Sequence, residues 1–253
     1  MKAMILAAGL GTRLRPLTDD RPKALVEVNG RTLLQITLCR LKSFGVTEVM
    51  VNTHHFAEMV ADYLHANKNF GMRIEVSHEE TLLDTGGGLK RAAAFFLESG
   101  ASSADLDMPF LLHNVDVLST IDLGQMIRVH QHQGALATLA VQQRPSSRCL
   151  IFDEKGQLCG RRAGRDSEPE WARPAGQVQE LAFSGIHVLS ARIFAEMSEE
   201  GPHSIIAAYM RLAGKGERIE AFHADGAYWR DLGRPESIVQ AALDIRSGVY
   251  PGP

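Results

Sequence analysis

Near the start of the chain a glycine-lined segment carries two cations: Leu6-Ala7-Ala8-Gly9-Leu10-Gly11-Thr12-Arg13, with Lys23 close behind. Without side chains at Gly9 and Gly11, backbone N–H groups can close around phosphate oxygens. Arg13 can meet a phosphate through two parallel hydrogen bonds, and Lys23 adds a compact positive charge. Cations and glycines directly after an apolar run make an anion site, most naturally for a triphosphate. Two common phosphate loops do not fit. A dinucleotide fingerprint needs a small residue where Leu14 stands and an acid about 20 residues further on. A Walker loop needs Gly-Lys-Ser/Thr, which does not follow.

Other segments offer further chemistry. Asp116 lies just past the apolar run Pro109 to His113. Thr85-Gly86-Gly87-Gly88 opens a predicted helix, so its N–H groups are expected to face outward as donors. His54-His55 has no carboxylate or Cys partners at metal-ligand spacing, and a loop or core role is expected. No Gly-x-Ser-x-Gly elbow is present, so nucleophilic hydrolysis is not supported.

The elements that must carry these residues alternate. Ala3 to Ala8 reads as a buried strand, then Leu34, Leu38 and Leu41 mark a helix ending at Gly45. Strands are predicted at Glu48–Asn52, Arg73–Ser77, Pro109–His113 and Ala135–Gln142, with helices at Phe56–Leu64, Leu89–Leu97 and Ile121–His132 between them. This order predicts a doubly wound α/β fold with a mixed, mostly parallel sheet, and ligands at the strand C-termini. Residues 143–179 break the rhythm and read as a small inserted lobe flanking the site, mobile around Ala163 to Gln177, within one domain of residues 1–253. The pattern resumes with a strand at Leu181–Leu189, helices at Ala191–Met197 and Ile205–Leu212, a strand at Arg218–Phe222 and a helix at Pro235–Arg246.

A formal charge of −3 gives no basis for nucleic-acid binding, which needs a basic face. The three cysteines show no CxxC spacing, which fits a reducing compartment. No apolar stretch approaches the roughly 20 residues of a membrane helix. A cytoplasmic protein without membrane or nucleic-acid partners is expected, monomeric or homodimeric.

From Gly9 to Lys23 the chain reads GLGTRLRPLTDDRPK and resembles the sugar-1-phosphate nucleotidyltransferase family, whose hallmark is G-x-G-T-R-L-x-P-x-T followed by P-K. The resemblance continues through Leu82 to Gly88, Leu111 to Asp116, Phe183 to Ile186 and Tyr228 to Gly233. It implies a Rossmann-like, GT-A-like enzyme that moves a nucleoside monophosphate from a nucleoside triphosphate to a sugar 1-phosphate, with Mg²⁺ as cofactor. Arg13, Lys23, Asp116 and Asp231 would be catalytic, with Asp116 and Asp231 holding the metal. Leu6, Ala7, Ala8, Gly9, Gly11, Thr12, Arg13, Lys23, Glu79, Thr85, Gly86 and Gly87 would meet the nucleotide. Ser184 and Gly185 align with the sugar-binding stretch, and Asn114 and Glu180 are added as candidate sugar ligands. The chain departs from the pattern at Val115, where the family commonly has Gly, and at Arg234, where it often has Thr. UTP with N-acetylmuramate 1-phosphate is the leading substrate pair, and GTP with mannose or heptose 1-phosphate the alternative. A non-catalytic nucleotide-sugar sensor is the reading from another class.

Overall fold

The computed structural model describes residues 1–97, 106–164 and 166–251. Its strands are β1 (Lys2–Leu6), β2 (Glu27–Val28), β3 (Arg31–Thr32), β4 (Glu48–Thr53), β5 (Arg73–His78), β6 (Pro109–Asn114), β7 (Val117–Ser119), β8 (Ala137–Gln142), β9 (Cys149–Asp153), β10 (Leu158–Arg162), β11 (Glu170–Trp171), β12 (Val178–Ser190), β13 (Ile219–His223) and β14 (Trp229–Asp231). The fold is the expected Rossmann-like α/β type, a mixed sheet with flanking helices. Contacts divide the chain into two compact units.

The first unit comprises Met1–Asp84, Leu112–Ile121 and the residues from Ala227 onward. Here β1, β4 and β5 are parallel neighbours, with Leu6 opposite Asn52 and Asn52 opposite Ser77. The end of β6 lies on the other side of β1. Ala3, Met4, Ile5, Val49 and Val51 are buried, as the unbroken apolar runs of strands covered on both faces require. The helix Leu33–Ser43 starts where Thr32 Oγ1 accepts from the Gln35 N–H at 3.0 Å. It stops at Gly45, whose φ of +79° is left-handed and cheap only for glycine. Leu33, Leu34, Leu38 and Leu41 are all buried on its inner face. At about 1.5–3 kcal/mol for each buried leucine, this face anchors the helix far more than backbone propensity does.

A small ladder that sequence patterning did not reveal completes this unit. β14 runs antiparallel to β7, with Asp231 opposite Val117. The next N–H, of Leu232, donates to the Asp116 carbonyl at 2.8 Å. The helix Pro235–Arg246 follows with the bounds expected from its N-terminal proline.

The second unit comprises Thr85–Leu111 and Asp122–Gly226. β12 pairs antiparallel with β8 and with β9, and β8 pairs in parallel with β13. Residues 143–179 supply β9, β10, β11 and the start of β12, which form a continuous antiparallel ladder. Phe110 and Phe194 stack at 5.6 Å and 8°, with Phe96 centred 4.2 Å from Phe110, at the heart of this unit's core. The helix expected from Leu89 to Leu97 begins earlier and breaks in two, Asp84–Arg91 and Ala93–Phe96.

Candidate active site

The phosphate cradle belongs to the first unit. β1 ends at Leu6 because the next N–H, of Ala7, donates to the side chain of Asn52 at 2.7 Å instead of to a neighbouring strand. Beyond that point the chain leaves the sheet. Among the described residues the N–H groups of Gly9 and Gly11 find no acceptor. A Cβ built on Gly9 would meet nothing within 4 Å, so open space faces it. Gly11 is constrained: its φ is +64°, and a Cβ there would come within 3.0 Å of Thr18. Thr18 Oγ1 donates to the Gly11 carbonyl at 2.9 Å and Leu14 N donates to the same oxygen at 2.8 Å. Those bonds pin the turn Thr12–Leu14 and leave Arg13 exposed while Leu14 is buried.

Lys23 and Asp116 are brought into direct contact, the ammonium donating to Asp116 Oδ2, with both side chains 13% exposed. The turn carrying Asp116 is held from both sides. Val115 N donates to the Leu6 carbonyl at 3.1 Å, and Thr37 Oγ1 lies 3.4 Å from the Val115 carbonyl. Val115 itself is buried, with its backbone tied to the cradle strand. Just upstream, His113 is wholly buried and its Nδ1–H donates to the Asn114 carbonyl at 2.8 Å. Burial, reinforced by the nearby Arg40 charge, pushes its imidazole down to about 4, so it is neutral near pH 7. Asn114 itself is half-buried at the end of β6.

Asp231 reaches the same edge through the β7–β14 ladder. Its Oδ1 accepts from Gly233 N at 2.8 Å. Gly233 occupies a gap: a Cβ there would lie 2.7 Å from Asp231 Oδ1 and 2.8 Å from Arg13 Nη2. Arg13 and Asp231 thus flank one glycine. A buried carboxylate at Asp116 and a half-buried one at Asp231, with no third acidic, His or Cys ligand clustered beside them among the described residues, suit a hard divalent cation that keeps waters and phosphate oxygens as its other ligands. The Lys23 ammonium against Asp116 marks that carboxylate as a place where positive charge is stabilised.

Several sequence-predicted ligands have other tasks. Glu79 is 1% exposed and already spends both oxygens, accepting from Asn52 Nδ2 at 2.7 Å and from Leu83 N at 2.9 Å. In the second unit, the expectation of outward-facing donors at the glycine run is not met: Gly86 N and Gly87 N both donate to the His203 carbonyl, at 2.9 and 3.3 Å. Thr85 Oγ1 accepts from Ile205 N at 2.9 Å, so this run is packed against the start of the helix Ile205–Gly214. Glu180 is paired with Arg162 at 2.7 Å, which draws its carboxylate below the usual range. Ser184 is buried, and Gly185, with a φ of +73°, sits where the β12–β8 register slips. His54 is a loop residue as expected, its Nδ1–H donating to the Glu79 carbonyl at 2.7 Å. Asn52 was missed. Its one signal was a buried-strand pattern, EVMVN, closing on a polar residue at the ligand edge.

A family profile described as nucleotidyl transferase matches residues 2–248. The chain is 34% identical over 242 residues to an N-acetylmuramate alpha-1-phosphate uridylyltransferase of Caulobacter vibrioides, covering 94% of each protein. It is 28% identical over 255 residues to a mannose-1-phosphate guanylyltransferase of Mycobacterium tuberculosis, covering 99% of this chain and 66% of that protein. In structure it resembles a UDP-glucose pyrophosphorylase complexed with UDP-glucose, with a TM-score of 0.75, 20% identity, and 97% and 98% of the two chains covered. The chain belongs to the nucleotidyl transferase family, among the sugar-1-phosphate nucleotidyltransferases, enzymes that generally use a divalent metal.

Proposed function

We propose that this nucleotidyltransferase joins UTP and N-acetylmuramate 1-phosphate, giving UDP-N-acetylmuramate and pyrophosphate, with Mg²⁺ held by Asp116 and Asp231. The observation that carries the reaction type is the convergence of Lys23 on Asp116 and of Arg13 and Asp231 on Gly233. The choice of substrates rests on the near full-length likeness to the Caulobacter uridylyltransferase. The guanylyltransferase likeness supports GTP with mannose 1-phosphate as the second reading. The presence of all four charged residues argues against a sensor without chemistry.

The reaction is a single in-line displacement. An oxygen of the sugar phosphate forms a bond to the α-phosphorus while the bond from that phosphorus to the bridging oxygen breaks. The electron pair leaves with pyrophosphate. The attacking oxygen is already ionised near neutral pH, so no general base is required. What opposes reaction is repulsion between two anions and charge gathering on the leaving group, so catalysis is positioning and charge neutralisation. The open cradle at Gly9 and Gly11 binds phosphate oxygens through free N–H groups. Arg13 holds the departing pyrophosphate, and Lys23 neutralises charge beside Asp116. Bound Mg²⁺ supplies further positive charge to the phosphates and orients them.

On motif likeness, Thr85, Gly86, Gly87 and Glu79 are assigned to the nucleoside and Ser184 and Gly185 to the sugar, with Asn114 and Glu180 added as candidate sugar ligands and the 143–179 lobe as a flanking element. A cytoplasmic setting and a monomer or homodimer accompany this reading. The test is a panel crossing UTP, GTP, CTP and dTTP with the 1-phosphates of N-acetylmuramate, mannose, glucose and heptose. Fastest pyrophosphate release should come from UTP with N-acetylmuramate 1-phosphate. A clear preference for GTP with mannose or heptose 1-phosphate would replace the uridylyl assignment.

A further inference from the structure

At the C-terminal end of β4, Asn52 is 2% exposed and bonded in two directions. Its Oδ1 accepts from Ala7 N at 2.7 Å, and its Nδ2 donates to Glu79 Oε1 at 2.7 Å. Glu79 passes the connection on: its Oε2 accepts from Leu83 N at 2.9 Å, and its own N–H donates to the Thr53 carbonyl at 2.8 Å. Three segments distant in sequence therefore share one buried chain of hydrogen bonds: the root of the phosphate cradle, the end of β4, and the loop 79–83. We propose that Asn52 is a positioning residue for nucleotide binding, which through Glu79 locks the phosphate cradle and the loop 79–83 into one unit. This rests on the nucleotide reading given above.

The polarity of the chain explains the residue type. Ala7 N–H is a donor that has run out of strand partners, so it needs an acceptor. The Glu79 carboxylate is acceptor-only and needs a donor. A primary amide offers both on two separate atoms of one short planar group, whereas a carboxylate at position 52 has no donor and a hydroxyl carries both on a single oxygen. Because the groups are buried, a mismatch leaves a polar atom unsatisfied at its full desolvation cost. By capping Ala7, Asn52 also ends the β1 ladder, so the residues that follow turn away from the sheet with their N–H groups free for phosphate.

Exchanging the two side-chain types should therefore restore what each single change breaks. Asn52→Asp sets two carboxylates against each other. Glu79→Gln leaves one amide nitrogen facing either Asn52 Nδ2 or Leu83 N, donor against donor. In the double variant every group is matched again. The amide now at position 79 donates to the carboxylate now at position 52 and accepts from Leu83 N, while that carboxylate also accepts from Ala7 N.

The experiment measures UTP affinity by calorimetry with Mg²⁺, KM for each substrate, and hydrogen exchange at the Ala7 amide in the ligand-free protein. Each single variant should weaken UTP binding by about tenfold or more, the loss expected of one mismatched buried hydrogen bond. KM for the sugar phosphate should stay within about twofold, and Ala7 should exchange faster. N52D/E79Q should recover most of the lost affinity and Ala7 protection. If N52D alone does not fold, adding N52D to E79Q must still improve on E79Q. Unchanged UTP affinity in E79Q, or a double variant no better than the singles, would overturn the proposal. A wild type that binds UTP but releases no pyrophosphate with any sugar phosphate would instead overturn the reaction assigned above, and the coupling would stand.

Discussion

The Lys23 ammonium rests on Asp116 Oδ2 although 93 residues separate the two in the chain. A cation already sits where the divalent metal is proposed to bind, so the two compete for one carboxylate. A metal held by Asp116 would free Lys23 toward the phosphates. Lys23→Met should therefore strengthen Mn²⁺ binding to the nucleotide-free protein, read by titration. Turnover should fall by about a hundredfold or more, the cost of losing a charge aimed at the transition state. Weaker or unaltered Mn²⁺ binding would remove Asp116 from the metal site.

Gly233 leaves room for Arg13 and Asp231 together. In Gly233→Ala the new methyl would press on Asp231 Oδ1 and Arg13 Nη2, both at the ends of side chains that can swing away. The backbone there is not left-handed, so little strain is added. A melting temperature close to wild type with a sharp fall in kcat is expected. Wild-type kcat in G233A would show that the placing of these two groups does not matter to the chemistry.

The glycine run gives a different result when altered. A Cβ on Gly86 would come 2.4 Å from the His203 ring and 2.9 Å from its carbonyl oxygen, which is backbone and does not yield. Gly86→Ala should destabilise the protein by about 1–3 kcal/mol, the usual cost of overpacking. Denaturant melts check this, and a variant as stable as wild type would mean that His203 moves freely.

Much of the cradle was legible because its chemistry is contiguous. Gly9, Gly11, Arg13 and Lys23 lie in one motif, and unbroken apolar runs such as Ala3 to Ala8 mark covered strands. What stayed hidden depends on pairing between distant segments. β7 and β14 have three residues each, too few for periodicity, yet their ladder is what brings Asp231 to Asp116. The bonds that Glu79 makes to Asn52 and Leu83, and the pairing of Glu180 with Arg162, likewise join segments that no local pattern connects. The donors expected at Gly86 and Gly87 were consumed by a carbonyl more than a hundred residues away in sequence, at His203.

Two buried histidines make stability depend on pH. Burial lowers His113, and likewise His130, from 6.5 to about 4; His130 is clasped by Thr138 Oγ1 at 2.9 Å and Ser190 Oγ at 3.0 Å. Between those values the unfolded chain binds protons that the folded chain refuses, so stability falls as pH drops from about 6.5 toward 4. From pH 7 to pH 5 each should contribute a loss of roughly 2 kcal/mol. Urea melts at the two pH values test this, and equal midpoints would show that neither histidine is held neutral by the fold.

Asp231, carried to Asp116 by a short ladder, is proposed to hold the metal that makes nucleotidyl transfer possible. Pyrophosphate release from UTP, Mg²⁺ and N-acetylmuramate 1-phosphate, compared between the wild type and Asp231→Asn, tests it most directly. The wild type should release one pyrophosphate per sugar nucleotide formed. The variant should melt at the same temperature and run at least about a thousandfold slower, as removal of a charge-stabilising group predicts. A D231N enzyme working near the wild-type rate would take Asp231 out of the metal site.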